Sequence, residues 1–128
     1  MFLGLFILLH YFSPPGLVLE AFKQKFPSAV QIKWSKENAH EYEAEFKMNT
    51  LSYSANFNDK GIWLETESPI GLDGLPDPIK KSVGPKDRIN RLYKIEKADG
   101  TIHFEIEIQK GSRVLEKIYD QNGLEIRS

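Results

Sequence analysis

Tyr42-Glu43-Ala44-Glu45-Phe46 and Phe104-Glu105-Ile106-Glu107-Ile108 read as one strand written twice. Phe57-Asn58-Asp59-Lys60-Gly61 returns in the same way as Tyr119-Asp120-Gln121-Asn122-Gly123, so residues 42–61 and 104–123 match without a gap. Toward the start of each unit the match continues one residue out of step. It pairs Pro15 with Pro76, Val18 with Ile79, Ile32 with Tyr93 and Trp34 with Ile95, and the slack is assigned to the Lys97-Ala98-Asp99-Gly100 turn. A repeat of this length constrains architecture more than any short motif does, although it names no activity.

Working outward, each unit opens with a proline at a first helical turn, where the missing N–H costs nothing. After Pro15, Val18, Ala21, Phe22 and Phe26 recur at helical spacing, and Pro27 stops the run. Pro76, Ile79 and Val83 keep that spacing in a shorter second helix, ended by Gly84-Pro85. The period then changes to two. Ile32 and Trp34, then Tyr42, Ala44, Phe46 and Met48, then Tyr53, Ala55 and Phe57 alternate with polar residues, the pattern of antiparallel strands with one dry face. The second unit predicts strands near 89–97, 101–109, 113–120 and 124–128. Asn49-Thr50, Asn58–Gly61, Lys110-Gly111-Ser112 and Gln121-Asn122-Gly123 carry turn chemistry.

The expected fold is α+β: a tandem repeat of a helix plus a four-stranded antiparallel meander. Both helices are expected on one face of a combined sheet of up to eight strands. Residues 1–13 are expected to be a signal-peptide remnant or apolar leader, 14–68 the first repeat unit, 69–75 a Pro/Gly-rich linker and 76–128 the second unit, the two units making one compact domain.

The chain has 128 residues, 41% of them hydrophobic, enough for one core. Cysteine is absent, which excludes disulfides, thiolate metal sites and a cysteine nucleophile. A formal net charge of −1 gives no electrostatic drive toward nucleic acid or an anionic membrane surface. The apolar run from Phe2 to Phe12 is too short to span a bilayer, which takes about 20 residues. Its length suits the apolar region of an export signal, although no Lys or Arg precedes it. The mature domain is therefore expected to begin near Ser13, in the periplasm or outside the cell.

Pleat parity predicts which residues face solvent. With Phe46 and Phe57 directed to the helices, Glu43, Glu45, Ser54 and Asn56 point away. Ile62 and Leu64 match Leu124 and Ile126, apolar in both copies, so they are expected in the core, with Trp63 and Glu65 on the open face. An exposed indole offers a partner about 200 Å² of surface to bury, so Trp63 is the expected anchor. In the second unit Lys117 falls inward and Val114 and Ile118 outward, which adds Ile118 as a candidate.

Enzymatic signatures are weak. Glu43/Glu45 and Glu105/Glu107 place paired carboxylates roughly 6.5–7 Å apart on a strand face, overlapping the spacing used by inverting glycosidases. Alternating glutamate on a wet face is also ordinary solubility chemistry. His10, His40 and His103 lack metal-ligand spacing, and Asn58-Asp59-Lys60-Gly61 lacks the later acidic ligands of a calcium loop. No catalytic residue, metal or cofactor is expected.

Pro15–Val18, Ala21-Phe22, Phe26-Pro27, Trp34, Tyr42–Phe46 and Gly61-Ile62-Trp63-Leu64-Glu65-Thr66-Glu67 together resemble the PepSY-like, β-lactamase-inhibitor-like family of secreted bacterial proteins. The resemblance covers nearly the whole mature chain and implies a tandem helix-plus-four-strand fold like that of β-lactamase inhibitor proteins, in the periplasm or outside the cell. Ser82–Pro85 departs from its longer second helix, and the leader lacks its lysines.

The expected function is a non-enzymatic extracytoplasmic module that docks a protein or peptide on the open sheet face. Trp63 would be the anchor, with Glu43, Glu45, Ser54, Asn56, Glu65 and Ile118 around it. The alternatives are a small-molecule-binding or hydrolytic α+β domain using the paired glutamates, and a structural envelope protein.

Overall fold

The computed structural model describes residues 12–84 and 87–127. The expected leader, residues 1–13, falls largely outside the described residues, as do Pro85 of the second helix stop and the final Ser128. Helices α1 (Gly16–Lys25) and α2 (Asp77–Ser82) accompany eight strands: β1 (Val30–Asn38), β2 (Glu41–Met48), β3 (Leu51–Asn58), β4 (Trp63–Pro69), β5 (Arg88–Lys97), β6 (Ile102–Lys110), β7 (Arg113–Asp120) and β8 (Glu125–Arg127). The strands follow chain order in one antiparallel sheet. The chain divides into two compact units, Met1–Leu64 and Glu65–Ser128.

In the first unit the Pro15 carbonyl accepts the N–H groups of Val18 and Leu19 at 3.0 and 3.1 Å, which starts α1. Val18 and Phe22, one turn apart, are buried against Tyr42, Ala44, Phe46, Ala55 and Phe57. Register explains that core. Tyr42 lies opposite Phe57, Ala44 opposite Ala55 and Phe46 opposite Tyr53, so all six side chains share the face under the helix. The small Ala44–Ala55 pair leaves room for the rings around it. Phe22 meets Phe46 edge-on at 5.0 Å and Trp34 at 5.2 Å. Burying each such side chain contributes about 2–3 kcal/mol.

Two expectations about β1 need correction. Ile32 is exposed because Gln31 has φ 53° and the register shifts between Val30 and Lys33, breaking the alternation. Trp34 packs on the core side opposite Ala44, but Ile95 is not its counterpart. Lys36 pairs with Tyr42, whereas Lys94 pairs with Phe104. The residue standing where Trp34 stands is therefore Leu92, and Tyr93 stands where Ser35 does. The longer hairpin around Lys97–Thr101 takes up several residues rather than one.

The β2–β3 turn holds Asn49 at φ 51° and Thr50 at φ 69°, both positive as a two-residue hairpin requires. The β3–β4 turn is pinned by Asn58, whose Oδ1 accepts the N–H groups of Lys60 and Ile62, each at 3.0 Å. Gly61 follows at φ 81°, and a Cβ there would lie 2.6 Å from the Leu17 carbonyl oxygen. The second unit has the same turn. Asp120 Oδ1 accepts from Asn122 and Leu124 at 2.9 and 3.0 Å, and a Cβ on Gly123, at φ 88°, would lie 2.6 Å from Pro78 Cβ. The oxygens of Asn58 and Asp120 are thus engaged with backbone N–H groups in these turns.

These turns overturn the expected facing of the residues that follow. Ile62, Leu124 and Ile126 are 54%, 67% and 50% exposed rather than core. Trp63 faces the helix instead of the open side: it packs against the first core, and the Lys25 ammonium sits over its ring at 3.9 Å from the centroid. Position-by-position matching of apolar residues failed because the glycine turn resets the pleat. In β8 the register shifts again, pairing Tyr119 with Glu125 but Ile118 with Arg127.

The second core joins Leu75 and Ile79 to Phe104, Ile106, Ile108 and Tyr119, with Ile70 and Leu92 against it. Within the expected linker, Pro69 still pairs with Tyr93 and Leu75 is buried. The inward Lys117 lies opposite Ile106 and reaches Glu125 at 3.6 Å.

Two stability predictions follow from these contacts. Gly61→Ala should cost well over the ~1–2 kcal/mol of a left-handed alanine, because the methyl group also strikes Leu17. Gly100→Ala, at φ 88° in open space, should cost only that backbone amount. Equal losses in urea unfolding would show that the close approach is unimportant. Trp63→Ala should cost about 2 kcal/mol, below the range for a fully buried aromatic. An unchanged urea midpoint would return the indole to the solvent side.

Candidate binding face

The site residues are placed by pleat and register. In the first unit, Glu43 lies opposite Asn56 and Glu45 opposite Ser54, all on the face turned away from α1. On the other side of β2, Ser35 lies opposite Glu43 and Lys33 opposite Glu45. Two rows result: Ser35–Glu43–Asn56 and Lys33–Glu45–Ser54. Cross-strand neighbours in such rows have Cβ atoms about 4.5–5.5 Å apart. Both rows are polar, with lysine against glutamate. Trp63, the expected centre of this group, is on the opposite side of the unit.

The second unit places Glu65 and Ile118 on the face turned away from α2. Glu65 lies opposite Lys97, whose ammonium it meets at 3.5 Å. Ile118 lies opposite Glu105, and Glu105 opposite Tyr93. The row Tyr93–Glu105–Ile118 therefore occupies the positions that Ser35–Glu43–Asn56 occupies in the first unit. The next row is Arg91–Glu107–Glu116, where the first unit has Lys33–Glu45–Ser54. Beside them, Ile95 lies opposite both Glu67 and His103. Ile95 is only 5% exposed, yet it belongs to neither core cluster.

The pairing of Tyr93 with Ile32 and of Ile95 with Trp34 assigns both to the core, and so hides their place on this face. The pleat counted outward from Phe104 puts both on the face turned away from α2.

Electrostatics on this face are set by formal charge and placement. Away from it, burial pushes the Tyr119 hydroxyl above its usual pKa, with Lys117 opposing. The Asp99 carboxyl in the β5–β6 turn is held low by hydrogen bonds from Thr101, the backbone one at 2.8 Å. Among the described residues no three His, Asp or Glu side chains gather as a metal ion requires. The paired glutamates Glu43/Glu45 and Glu105/Glu107 lie along their strands as expected, embedded in the rows above.

Solved structures share this architecture. A DUF2874-family protein of Bacteroides ovatus superposes with a TM-score of 0.76 at 24% identity, over 91% of this chain and 86% of that one. A protein of Bacteroides eggerthii described as "putative periplasmic" gives a TM-score of 0.81 at 19% identity, covering 91% and 88%. A BLIP-like protein of Bacteroides fragilis gives 0.71 at 18% identity, covering 91% and 86%. At these identities the likeness is one of fold. No curated protein matches the chain in sequence. The family model described as "Putative beta-lactamase-inhibitor-like, PepSY-like" matches residues 40–126, and the chain belongs to that PepSY-like family.

Proposed function

We propose that this chain is a non-enzymatic, extracytoplasmic binding module, built as a tandem repeat of a helix and a four-stranded meander. It docks a protein or peptide on the sheet face that a unit turns away from its helix. Family membership and the inhibitor-like fold support a binding role, although a shared fold does not transfer a target. A periplasmic or secreted location is supported by the printed description of the Bacteroides eggerthii relative. No helix among the described residues is long and apolar enough to cross a membrane.

The observation that carries the proposal is the row Tyr93–Glu105–Ile118. The first unit holds Ser35 and Asn56 at the flanking positions, so the scaffold accepts polar residues there. An aromatic and an aliphatic side chain, both half-buried, replace that polar pair on the face turned away from α2, and aromatic and apolar side chains set among polar ones are what contact sites use. Glu65 lies on the same face of the second unit. In the first unit, Glu43, Glu45, Ser54 and Asn56 supply the polar surface expected at the rim of an interface. Trp63 has no part in this face.

The test compares wild type, the double variant Tyr93→Ser/Ile118→Asn and the helix-side control Lys23→Glu, each immobilised and exposed to an envelope extract. Wild type and the control should retain the same protein, and the double variant should release it at least about tenfold more readily, the loss of roughly 1.4 kcal/mol. Equal retention by all three, or no retained protein, would overturn the proposal.

A further inference from the structure

We infer that an extended segment of the partner adds as a strand along the outer edge of β7, bonding to the main chain of Val114 and Glu116. This rests on the docking role proposed above and adds how the occupant is held. Three observations in the second unit point to it.

First, β7 is longer than the strand beside it. β7 runs for eight residues, Arg113–Asp120, and β8 for three, Glu125–Arg127. β8 pairs with Ile118 and Tyr119, and among the described residues no strand lies on the outer side of Val114 and Glu116. β4, which corresponds to β8 in the repeat, runs for seven residues, Trp63–Pro69. Second, the backbone groups along that stretch point outward. In an antiparallel strand the N–H and C=O of one residue point to the same side, and the side alternates from residue to residue. Asp120 donates its N–H to the Leu124 carbonyl at 2.9 Å, on the β8 side. Ile118, Glu116 and Val114 share that side, because the β6–β7 register runs without a shift from Arg113 to Asp120. Arg113, Leu115 and Lys117 point to β6 instead. Val114 and Glu116 therefore offer two N–H and two C=O groups, in sets roughly 6.8 Å apart, which is the spacing an added strand reads.

Third, the side chains along this stretch admit a neighbour. Val114 is 52% exposed, and Leu115 on the other face is half-buried. Lys117, the lysine of β7, is held by Glu125 at 3.6 Å. Val114 shares the face of Ile118, so a strand at this edge continues the docking face. The edge of β1 is less suited. Register shifts bound its regular stretch Lys33–Lys36, which carries two lysines, and bulges and lysines deter strand addition. A second copy cannot use both positions of β7 through the same edge. Antiparallel pairing of Val114 in one copy with Glu116 in the other would set the second copy's Ser112 beside Ile118, where Arg127 already lies.

The experiment uses the full chain and a short blocked peptide of alternating threonine and valine, followed by amide hydrogen exchange and backbone amide shifts. In the free chain the amides of Val114 and Glu116 should exchange faster than those of Leu115 and Lys117. The peptide should slow that exchange and shift amides of β7, and its N-methylated counterpart should do neither. Glu116→Pro removes an outward N–H and no bond to β6, so its thermal melt should stay near that of wild type. Its affinity for the peptide should fall about tenfold or more. Leu115→Pro, which removes a bond to Ile108, should lower the melt markedly. Should Glu116→Pro fail to fold, Val114→Pro makes the same test one position along. Failure of both while Leu115→Pro folds would show that the outward groups are misassigned, and the inference falls. Protection of Val114 and Glu116 in the free chain, unchanged affinity in the folded proline variant, or equal binding of the methylated peptide would also overturn it. If no peptide binds while an envelope protein is still retained through Tyr93 and Ile118, the docking face stands and strand addition falls.

Discussion

Gly61 and Gly123 carry the constraint on which the remaining geometry rests. Each is held at positive φ, and each brings a turn so close to the start of its helix that a single methyl group would collide with it. The turn in each case is closed by a side-chain oxygen, Asn58 or Asp120, receiving two backbone N–H groups. A strand entering from such a turn has no freedom in its pleat. Its first residue faces the helix or it does not, and the residue before it falls on the other side. That is why Trp63 ends beneath Lys25 while its neighbour Ile62 is left in water.

Once the pleat is set, the core and the wet face are two readings of one alternation. Ala44, Phe46 and their partners across β3 form the dry side. The intervening Glu43, Glu45, Ser54 and Asn56 are placed on the other by the same backbone. The second unit obeys this rule with different chemistry. Phe104, Ile106 and Ile108 meet Leu75 and Ile79, and the residues between them line up with Tyr93 and Ile118. Its helix is only six residues long, and Ile79 is its one buried residue. Leu75, just before α2, and Ile70, just after β4, fill out that core.

Much of this was legible in the sequence because period-two alternation survives wherever the ladder is regular. The strands of the second unit lie within a residue or two of their expected positions, and Glu43, Glu45, Ser54 and Asn56 share the face that parity assigned them. The failures cluster where the ladder is irregular. Gln31 at positive φ breaks β1, so Ile32 loses the core position that alternation gave it. The lengthened β5–β6 hairpin changes which residues of β1 and β5 correspond, which hid Tyr93. The skipped residue in β8 turns Ile126 outward. Bulges and hairpin lengths are decided by backbone geometry at one or two residues, and an apolar count over a window averages across them.

The difference between the two wet faces is more informative than either face alone. Both units present a glutamate at the centre of the row, Glu43 in one and Glu105 in the other, so the shared backbone accommodates a carboxylate there without penalty. What changes is the flank: serine and asparagine in one, tyrosine and isoleucine in the other. Packing against α2 cannot explain the change, because these side chains lie on the face turned away from it. Solubility cannot explain it either, because the polar pair serves that end better. Sheet propensity favours tyrosine and isoleucine, but only by fractions of a kilocalorie per residue, and it gives no reason for Glu107 to face Glu116 in the adjoining row. A tyrosine and an isoleucine flanking a carboxylate on that face fit the proposed docking role, in which apolar contact is framed by polar groups.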